Sequence, residues 1–343
     1  MEKIDIKNLT LDELEQDIIN MGEAKFRAKQ IFSWLHQKNV SSFDEMLNIS
    51  KGFREKLNNR FKITNIEIVD KLISSVDKTT KYLFKLENNH IIESVLMKYS
   101  YGNAVCISSQ VGCRMGCTFC ASTLDGLERN LTTPEMVSQI YKIQEDSKEK
   151  IRSIVLMGSG EPFDNFDNFL KFIEIINHKD GLNIGQRHIT VSTCGIVPKI
   201  YELADKKLQV NLALSLHAPT DEKRKNIMPI AKKYTVREIV DACKYFAQTT
   251  KRRVTYEYAL IAGINDGEED AKEIIKLLKG SLAHINLIPV NNVKERNYIK
   301  SSKEQIKNFA TILKKSGIET TIRRELGSDI NAACGQLRKS YKY

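Results

Sequence analysis

The run Ala104-Val-Cys106-Ile-Ser108-Ser-Gln-Val-Gly112-Cys113-Arg-Met-Gly116-Cys117-Thr-Phe-Cys120 decides how this chain is read. Its first part is a short apolar stretch of strand length, and its second part brings three thiols into one loop. Loops that follow parallel strands collect at one end of a βα fold, where such folds carry their chemistry. The residues downstream repeat the same rhythm. Strands are expected over 104–108, 152–157, 188–192, 209–216, 254–260 and 284–288. Helices are expected over 134–145, 166–177, 198–204, 236–248, 268–278 and 303–315, with one more strand at 319–323. Six β–α units imply an α/β fold with a parallel sheet, helices outside and a partial or closed barrel.

Upstream the pattern changes. Residues 1–62 read as a small helical accessory domain: helices over 11–20 behind Thr10, over 23–38, a short start at Ser42, and 51–61 behind Ser50. Two strand-like runs, 81–86 and 91–97, meet at Asn88-Asn89, which tolerates the positive φ of a tight hairpin. The expected division is 1–62 helical, 63–98 a β-hairpin extension, 99–330 the core, and 331–343 a C-terminal segment. Glu93 stands among the apolar residues of the second hairpin run, on an exposed face or in a functional position.

The 343 residues, 41% of them hydrophobic, suffice for a barrel plus a small domain. No stretch has the apolar length of a membrane span, and the first residues lack the apolar segment of a signal peptide, so a cytoplasmic protein is expected. Seven cysteines in such a chain argue for metal binding or catalysis rather than a disulfide framework. The net charge of +10 is uneven: residues 1–60 balance, 221–253 carry 10 Lys and Arg against 4 acids, and 290–343 carry 12 against 5. Such stretches suit a polyanion such as RNA, or are solvated faces of a lysine-rich protein.

Three soft thiolates in one loop suit an iron–sulfur cluster or zinc. A cubane cluster takes four ligands, so a local set of three leaves one iron open to a substrate. Zinc needs a fourth ligand, and no second Cys-x2-Cys pair exists to give it. Polar residues recur where later strands end. The turn Met157-Gly-Ser-Gly160-Glu161-Pro162 offers backbone that a ligand can approach and a carboxylate for an ammonium group. Ser192, then Ser215 and His217, then Asn291 follow at the third, fourth and sixth strands. Each alone reads as an ordinary loop residue; together they mark the end where a barrel binds its cofactor. Of the other cysteines, Cys243 reads as helix core and Cys194 as inert. Cys106 and Cys334, taken alone, read as small buried residues.

The Cys-x3-Cys-x2-Cys spacing with an aromatic before its last cysteine resembles the radical S-adenosylmethionine (SAM) superfamily. A closer resemblance rests on Cys106-Ile-Ser-Ser-Gln-Val-Gly-Cys113, the Gly160-Glu161-Pro162 turn, Ser215-Leu-His217-Ala-Pro, Asn286-Leu-Ile-Pro-Val-Asn291 and Asp329-Ile-Asn-Ala-Ala-Cys334-Gly-Gln-Leu. Together these resemble the RlmN-type radical SAM adenine C2 methyltransferases over nearly the whole chain. The resemblance implies a partial (β/α)6 radical SAM barrel. It implies a [4Fe-4S] cluster on Cys113, Cys117 and Cys120, with SAM contacting Gly160, Glu161, Ser192, Ser215, Leu216, His217 and Asn291. It implies that Cys334 is methylated and that the methyl group, made radical, adds to C2 of an adenosine in 23S rRNA or tRNA. Glu93 is then the proton acceptor, and Cys106 releases the product by a transient disulfide with Cys334. A reductant such as flavodoxin or ferredoxin is implied as a partner. The turn departs from the family at Ser159, where methionine is usual; serine removes apolar packing near SAM, and altered SAM affinity at most is expected, because Gly160 and Glu161 remain. A sister group that methylates C8 and confers antibiotic resistance is the nearest rival, and it typically has Ala where this chain has Pro162. A zinc-stabilised, non-catalytic RNA-binding protein is the rival from another class.

Overall fold

The computed structural model describes residues 3–337, so residues 338–343 of the expected C-terminal segment lie outside the described residues. One ten-stranded sheet follows the chain in order from edge to edge. Its strands are β1 (Glu67–Ile73), β2 (Thr80–Lys85), β3 (Ile91–Tyr99), β4 (Gly102–Cys106), β5 (Ile151–Leu156), β6 (Ile189–Thr193), β7 (Asn211–Ser215), β8 (Val254–Leu260), β9 (Ala283–Pro289) and β10 (Glu319–Ile322). Strands β1 to β4 pair antiparallel, and β4 to β10 pair parallel. The hairpin extension is therefore continuous with the barrel sheet through β3 and β4.

Three helices precede the sheet: α1 (Leu11–Asn20), α2 (Phe26–His36) and α3 (Lys51–Arg60). Seven more run between and beside the parallel strands: α4 (Thr133–Ser147), α5 (Phe166–Asn177), α6 (Val197–Asp205), α7 (Asp221–Ile227), α8 (Val236–Thr250), α9 (Glu268–Leu278) and α10 (Lys303–Lys315). The sequence signals that start them are in place. Thr10, Thr132 and Thr235 cap α1, α4 and α8, each returned by a glutamate three residues on. Asn89 takes a φ of 65° in the turn between β2 and β3. Among the strands of the large sheet and the α-helices, two went unforeseen. Strand β1 is an edge strand whose Leu72 and Ile73 are exposed, so it carries no buried alternation to betray it. Helix α7 is short and highly charged, which reads as a loop.

The N-terminal helices dock on the barrel through a shared apolar core that includes Ile31, Phe32 and Leu35. His36 Nδ1 lies 2.8 Å from the Tyr141 hydroxyl of α4, and Lys171 of α5 pairs with Glu13 at 2.8 Å. Phe32 is core, while Trp34 is half-buried under the Lys38 ammonium, 3.4 Å from its ring centroid. No helix among the described residues is long and apolar enough to cross a membrane.

Register fixes which side chains meet inside. Directly opposed residues share a sheet face. The pairs Leu83↔Glu93, Val95↔Cys106, Cys106↔Val155, Ser192↔Ala213, Ser215↔Glu257, Glu257↔Asn286 and Asn286↔Thr321 carry one face across the sheet. Counting in twos along each strand adds Lys81, Met157 and Arg323 to that face.

Candidate active site

The loop after β4 folds back through a short hairpin, Gln110–Gly112 with Leu127–Asn130, and sets its thiols at the C-terminal end of the parallel strands. Gly112 is required there: its φ is 75°, and a Cβ would stand 2.0 Å from the Gly126 carbonyl oxygen. Cys113, Cys117 and Cys120 line one cavity with Gly160, Glu161, Ser192, Ser215, His217, Asn291 and Cys334. About 970 Å³ of empty space lies among these residues, part of it open solvent. A second cavity of about 560 Å³ is lined by Cys106, Val95 and Met97. The two share Met157, Ile288, Asn291, Arg323 and Cys334 as a common wall. Among the expected site residues, Glu93 and Leu216 line neither cavity. The Leu216 side chain is fully buried, its N–H donates to the Glu257 carbonyl, and its own carbonyl accepts from Arg224.

The three thiols of the loop suit a cluster by their chemistry. Burial raises each of them, and the charge of a neighbouring thiolate pushes each further up. Cationic iron would reverse both effects. Among the described residues no three His, Cys, Asp or Glu side chains converge on a single-ion cage. In the same cavity, the Asn291 Oδ1 is buried with no hydrogen-bond partner among the described residues, an acceptor left for a ligand's donor.

Glu161 is 4% exposed and accepts from the backbone N–H groups of Phe163 (3.0 Å) and Cys194 (2.7 Å). Burial raises its carboxyl, and those two hydrogen bonds oppose the rise. The glycines of its turn serve the fold first: a Cβ on Gly158 would stand 2.6 Å from the Ile107 carbonyl oxygen, and one on Gly160 2.6 Å from Gln110. Ser159 does not itself line the main cavity; its hydroxyl lies 3.2 Å from that of Ser122, which does. Any effect of this position on SAM would pass through Ser122.

His217 has a φ of 54°, and its Nδ1 accepts from the Ala259 N–H at 2.9 Å. Burial, with Arg224 nearby, pushes its pKa down to about 3. The ring is therefore neutral with its proton on Nε2. Phe119, the aromatic residue of the cysteine loop, meets this ring edge-on at 4.8 Å.

The Cys334 segment is tied to the cluster loop. Ala121 N–H donates to the Gly335 carbonyl at 2.8 Å, Ser122 Oγ to the Leu337 carbonyl at 2.6 Å, and Asn291 Nδ2 to the Cys334 carbonyl at 2.9 Å. The Cys106 thiol is pushed up to about 12, by burial first and then by the charge of Cys334, with Arg323 pulling the other way. Glu93 is buried, with the Lys81 ammonium 3.3 Å from its carboxylate.

Several residues of the site gave no sequence signal. Arg224 is fully buried and donates to the carbonyls of Leu216, Cys194 and Ser215 at 3.0, 2.6 and 3.0 Å. It sits in the basic stretch read above as a possible RNA surface, and its neighbour Lys223 pairs with Asp270 at 2.6 Å. Glu257 accepts from Asn286 at 2.8 Å and faces Arg323 at 3.7 Å. Cys194, read as inert, lines the main cavity.

The comparisons with known proteins agree along the whole chain. Residues 107–278 match the radical SAM superfamily model, and residues 4–63 match the ribosomal RNA large subunit methyltransferase N-terminal domain. A probable dual-specificity RNA methyltransferase RlmN of Clostridium novyi is 58% identical over 98% of both chains, and one of Alkaliphilus oremlandii is 60% identical over 99% of both. The crystal structure of a radical SAM methyltransferase from Sphaerobacter thermophilus superimposes with a TM-score of 0.93 at 41% identity, covering 98% of this chain and 99% of that one. With its cysteine loop, its cavity and its order of strands all accounted for, this chain belongs to the RlmN family of radical SAM methyltransferases.

Proposed function

We propose that the protein methylates C2 of adenosine in 23S rRNA and in tRNA, in the cytoplasm, with electrons from a donor such as flavodoxin or ferredoxin. The observation that carries this reading is the common wall. Cys334 lines both the cavity of the three-thiol loop and the cavity of Cys106, so one thiol faces both a radical source and a second thiol.

In this reading Cys113, Cys117 and Cys120 hold the cluster, and the polar strand ends hold SAM. Bound there, the cluster and SAM supply a methyl group, a hydrogen-abstracting radical and the one-electron balance of the cycle. The chain's own residues do the rest. The neutral His217 offers an Nε2–H donor, and Asn291 Oδ1 and Glu161 offer acceptors. Cys334 Sγ carries the methyl group and is joined through it to adenine C2. Glu93 takes the C2 proton while the bonding pair stays in the ring. Cys106 then attacks Cys334 Sγ: the S–S bond forms, the S–C bond breaks, and its pair stays on the product carbon. That carbon takes up a proton to become methyl, balanced by the proton Cys106 gives up. A thiol reductant reopens the disulfide. The high pKa of Cys106 suits this order. Burial keeps it a thiol, and the Arg323 guanidinium nearby favours its ionisation.

The test is an anaerobic incubation of the cluster-loaded protein with SAM, a reductant and unmodified ribosomal RNA or tRNA. Digestion and mass spectrometry identify the product. 2-Methyladenosine is expected. 8-Methyladenosine moves the protein to the resistance group, and no methylated adenosine from a cluster-loaded protein overturns the reading.

A further inference from the structure

Lys81 is the least expected charge in the molecule. It lies within β2, its side chain is 5% exposed, and that of Glu93 beside it is fully buried. The register explains the meeting. Leu83 opposes Glu93, so Lys81, two residues along β2 on the same face, is its diagonal neighbour. The ammonium lies 3.3 Å from Glu93 Oε1 and donates to the Asn331 carbonyl at 3.4 Å, three residues before Cys334. Asn331 itself has a φ of 50°, ending the turn Ser328–Ile330 that leads into the Cys334 segment. Glu93 in turn is the diagonal neighbour of Cys106 across β3 and β4, because Val95 opposes Cys106. Buried pairs of this kind are poor sources of stability, since desolvation of both charges offsets their attraction. A pair inside the active-site face calls for another role.

We propose that Lys81 is a positioning residue for methyl transfer: one ammonium holds the Glu93 carboxylate toward the inner face and fixes the Asn331 carbonyl of the segment that bears Cys334. The base and the methyl-bearing thiol are thereby set against each other by a single group. This rests on the reading of Glu93 as the base. In the step concerned, the C2–H bond breaks, its electron pair remains in the adenine ring, and the proton passes to Glu93, which becomes a carboxylic acid. Lys81 lines neither of the two cavities and takes no part in the bond changes.

The test uses the full-length, cluster-loaded protein in steady-state RNA methylation, with Lys81→Met, Lys81→Arg and Glu93→Gln. Four quantities are read: 5′-deoxyadenosine formation, methylation of Cys334 by intact mass, RNA methylation with kcat and KM resolved, and denaturant-stable protein–RNA adduct. Lys81→Met is expected to keep Cys334 methylation and SAM cleavage. Its kcat for RNA methylation falls about 10- to 100-fold at unchanged KM for RNA, the range for a displaced catalytic group. Adduct through Cys334 accumulates, because the C2 proton stays on. Lys81→Arg, which keeps the cation, retains most of the rate. A Lys81→Met enzyme with native kcat, while Glu93→Gln is inactive, overturns the proposal and leaves the base reading standing. Glu93→Gln at native speed removes the base reading and the proposal with it. Parallel loss of Cys334 methylation and RNA methylation means Lys81 is merely structural, and also overturns it. Should Lys81→Met fail to fold, the double variant Lys81→Met/Glu93→Gln decides, since it leaves no charge unpaired. A rate equal to that of Glu93→Gln alone supports action through Glu93, and a further tenfold loss refutes it.

Discussion

Replacing Arg224 with methionine should loosen one wall of the main cavity without replacing a cysteine. The guanidinium is fully buried and donates to three carbonyls, of Leu216, Cys194 and Ser215, at the end of β7 and in the loops after β6 and β7. Hydrogen bonds from a charged donor contribute about 1.5–3 kcal/mol each, so the three together hold about 4.5–9 kcal/mol. Methionine recovers the several kcal/mol spent on burying the charge, which leaves a net loss of about 3 kcal/mol. Unfolding entropy is about 2.1 cal/mol/K per residue. For a chain of 343 residues each kcal/mol then moves Tm by about 1.4 °C, giving a fall of about 4 °C. Cys194, Ser215 and His217 line the cavity from these same loops, so SAM affinity should weaken by about tenfold, or 1.4 kcal/mol. Anaerobic differential scanning fluorimetry and equilibrium dialysis with labelled SAM measure the two effects. Arg224→Lys, reaching fewer carbonyls, should fall between. A Tm within about 1 °C of the native protein, together with SAM affinity within twofold, would refute the role given to this residue.

Other outcomes follow from the same geometry. Cys113→Ala should give a colourless protein that forms no 5′-deoxyadenosine, checked by visible absorbance and chromatography; a brown, active variant would contradict the ligand assignment. Ser159→Met should leave SAM affinity within threefold, because Ser159 does not line the cavity and meets it only through Ser122. Cys334→Ala should still cleave SAM but methylate no RNA, whereas Cys106→Ala should trap RNA on Cys334 as an adduct visible on a denaturing gel. His36 and His217 are each pushed from 6.5 down to about 3 by burial, so the unfolded chain binds more protons than the folded one between those limits. The stability of their neutral rings is present above pH 6.5 and is lost as pH falls, at about 1.4 kcal/mol per pH unit for each ring. Urea titrations between pH 6.5 and 5 should show His36→Phe with a shallower decline than the native protein.

The parallel half of the fold was legible because its signals are local. A buried strand is a short apolar run, and a helix opened by Thr and Glu three apart caps itself, so 104–106, 254–260 and the starts of α1, α4 and α8 could be read from neighbouring residues. Edge strand β1 escaped because exposure removes the alternation that marks a strand, and helix α7 because a short, charged helix has no apolar face to count. What was legible at the site followed the same rule. The three cysteines and the polar residues at strand ends lie where the chain turns, and their chemistry announces them.

What stayed hidden is the set of residues defined by register. Lys81 and Glu93 are twelve positions apart in sequence and become diagonal neighbours only once Leu83 is known to oppose Glu93. A slip of one residue in that hairpin would send Lys81 to the opposite face. Glu257 and Arg323 meet only because β8, β9 and β10 align Glu257 with Asn286 and Asn286 with Thr321, two residues short of Arg323. Arg224 was masked by its surroundings, since one buried cation among ten basic residues in 221–253 looks like any solvated one. In a sequence, composition marks the candidates for binding iron, because thiols are rare. The charges that aim a base or hold a loop use common residue types, and burial alone tells them apart from the surface.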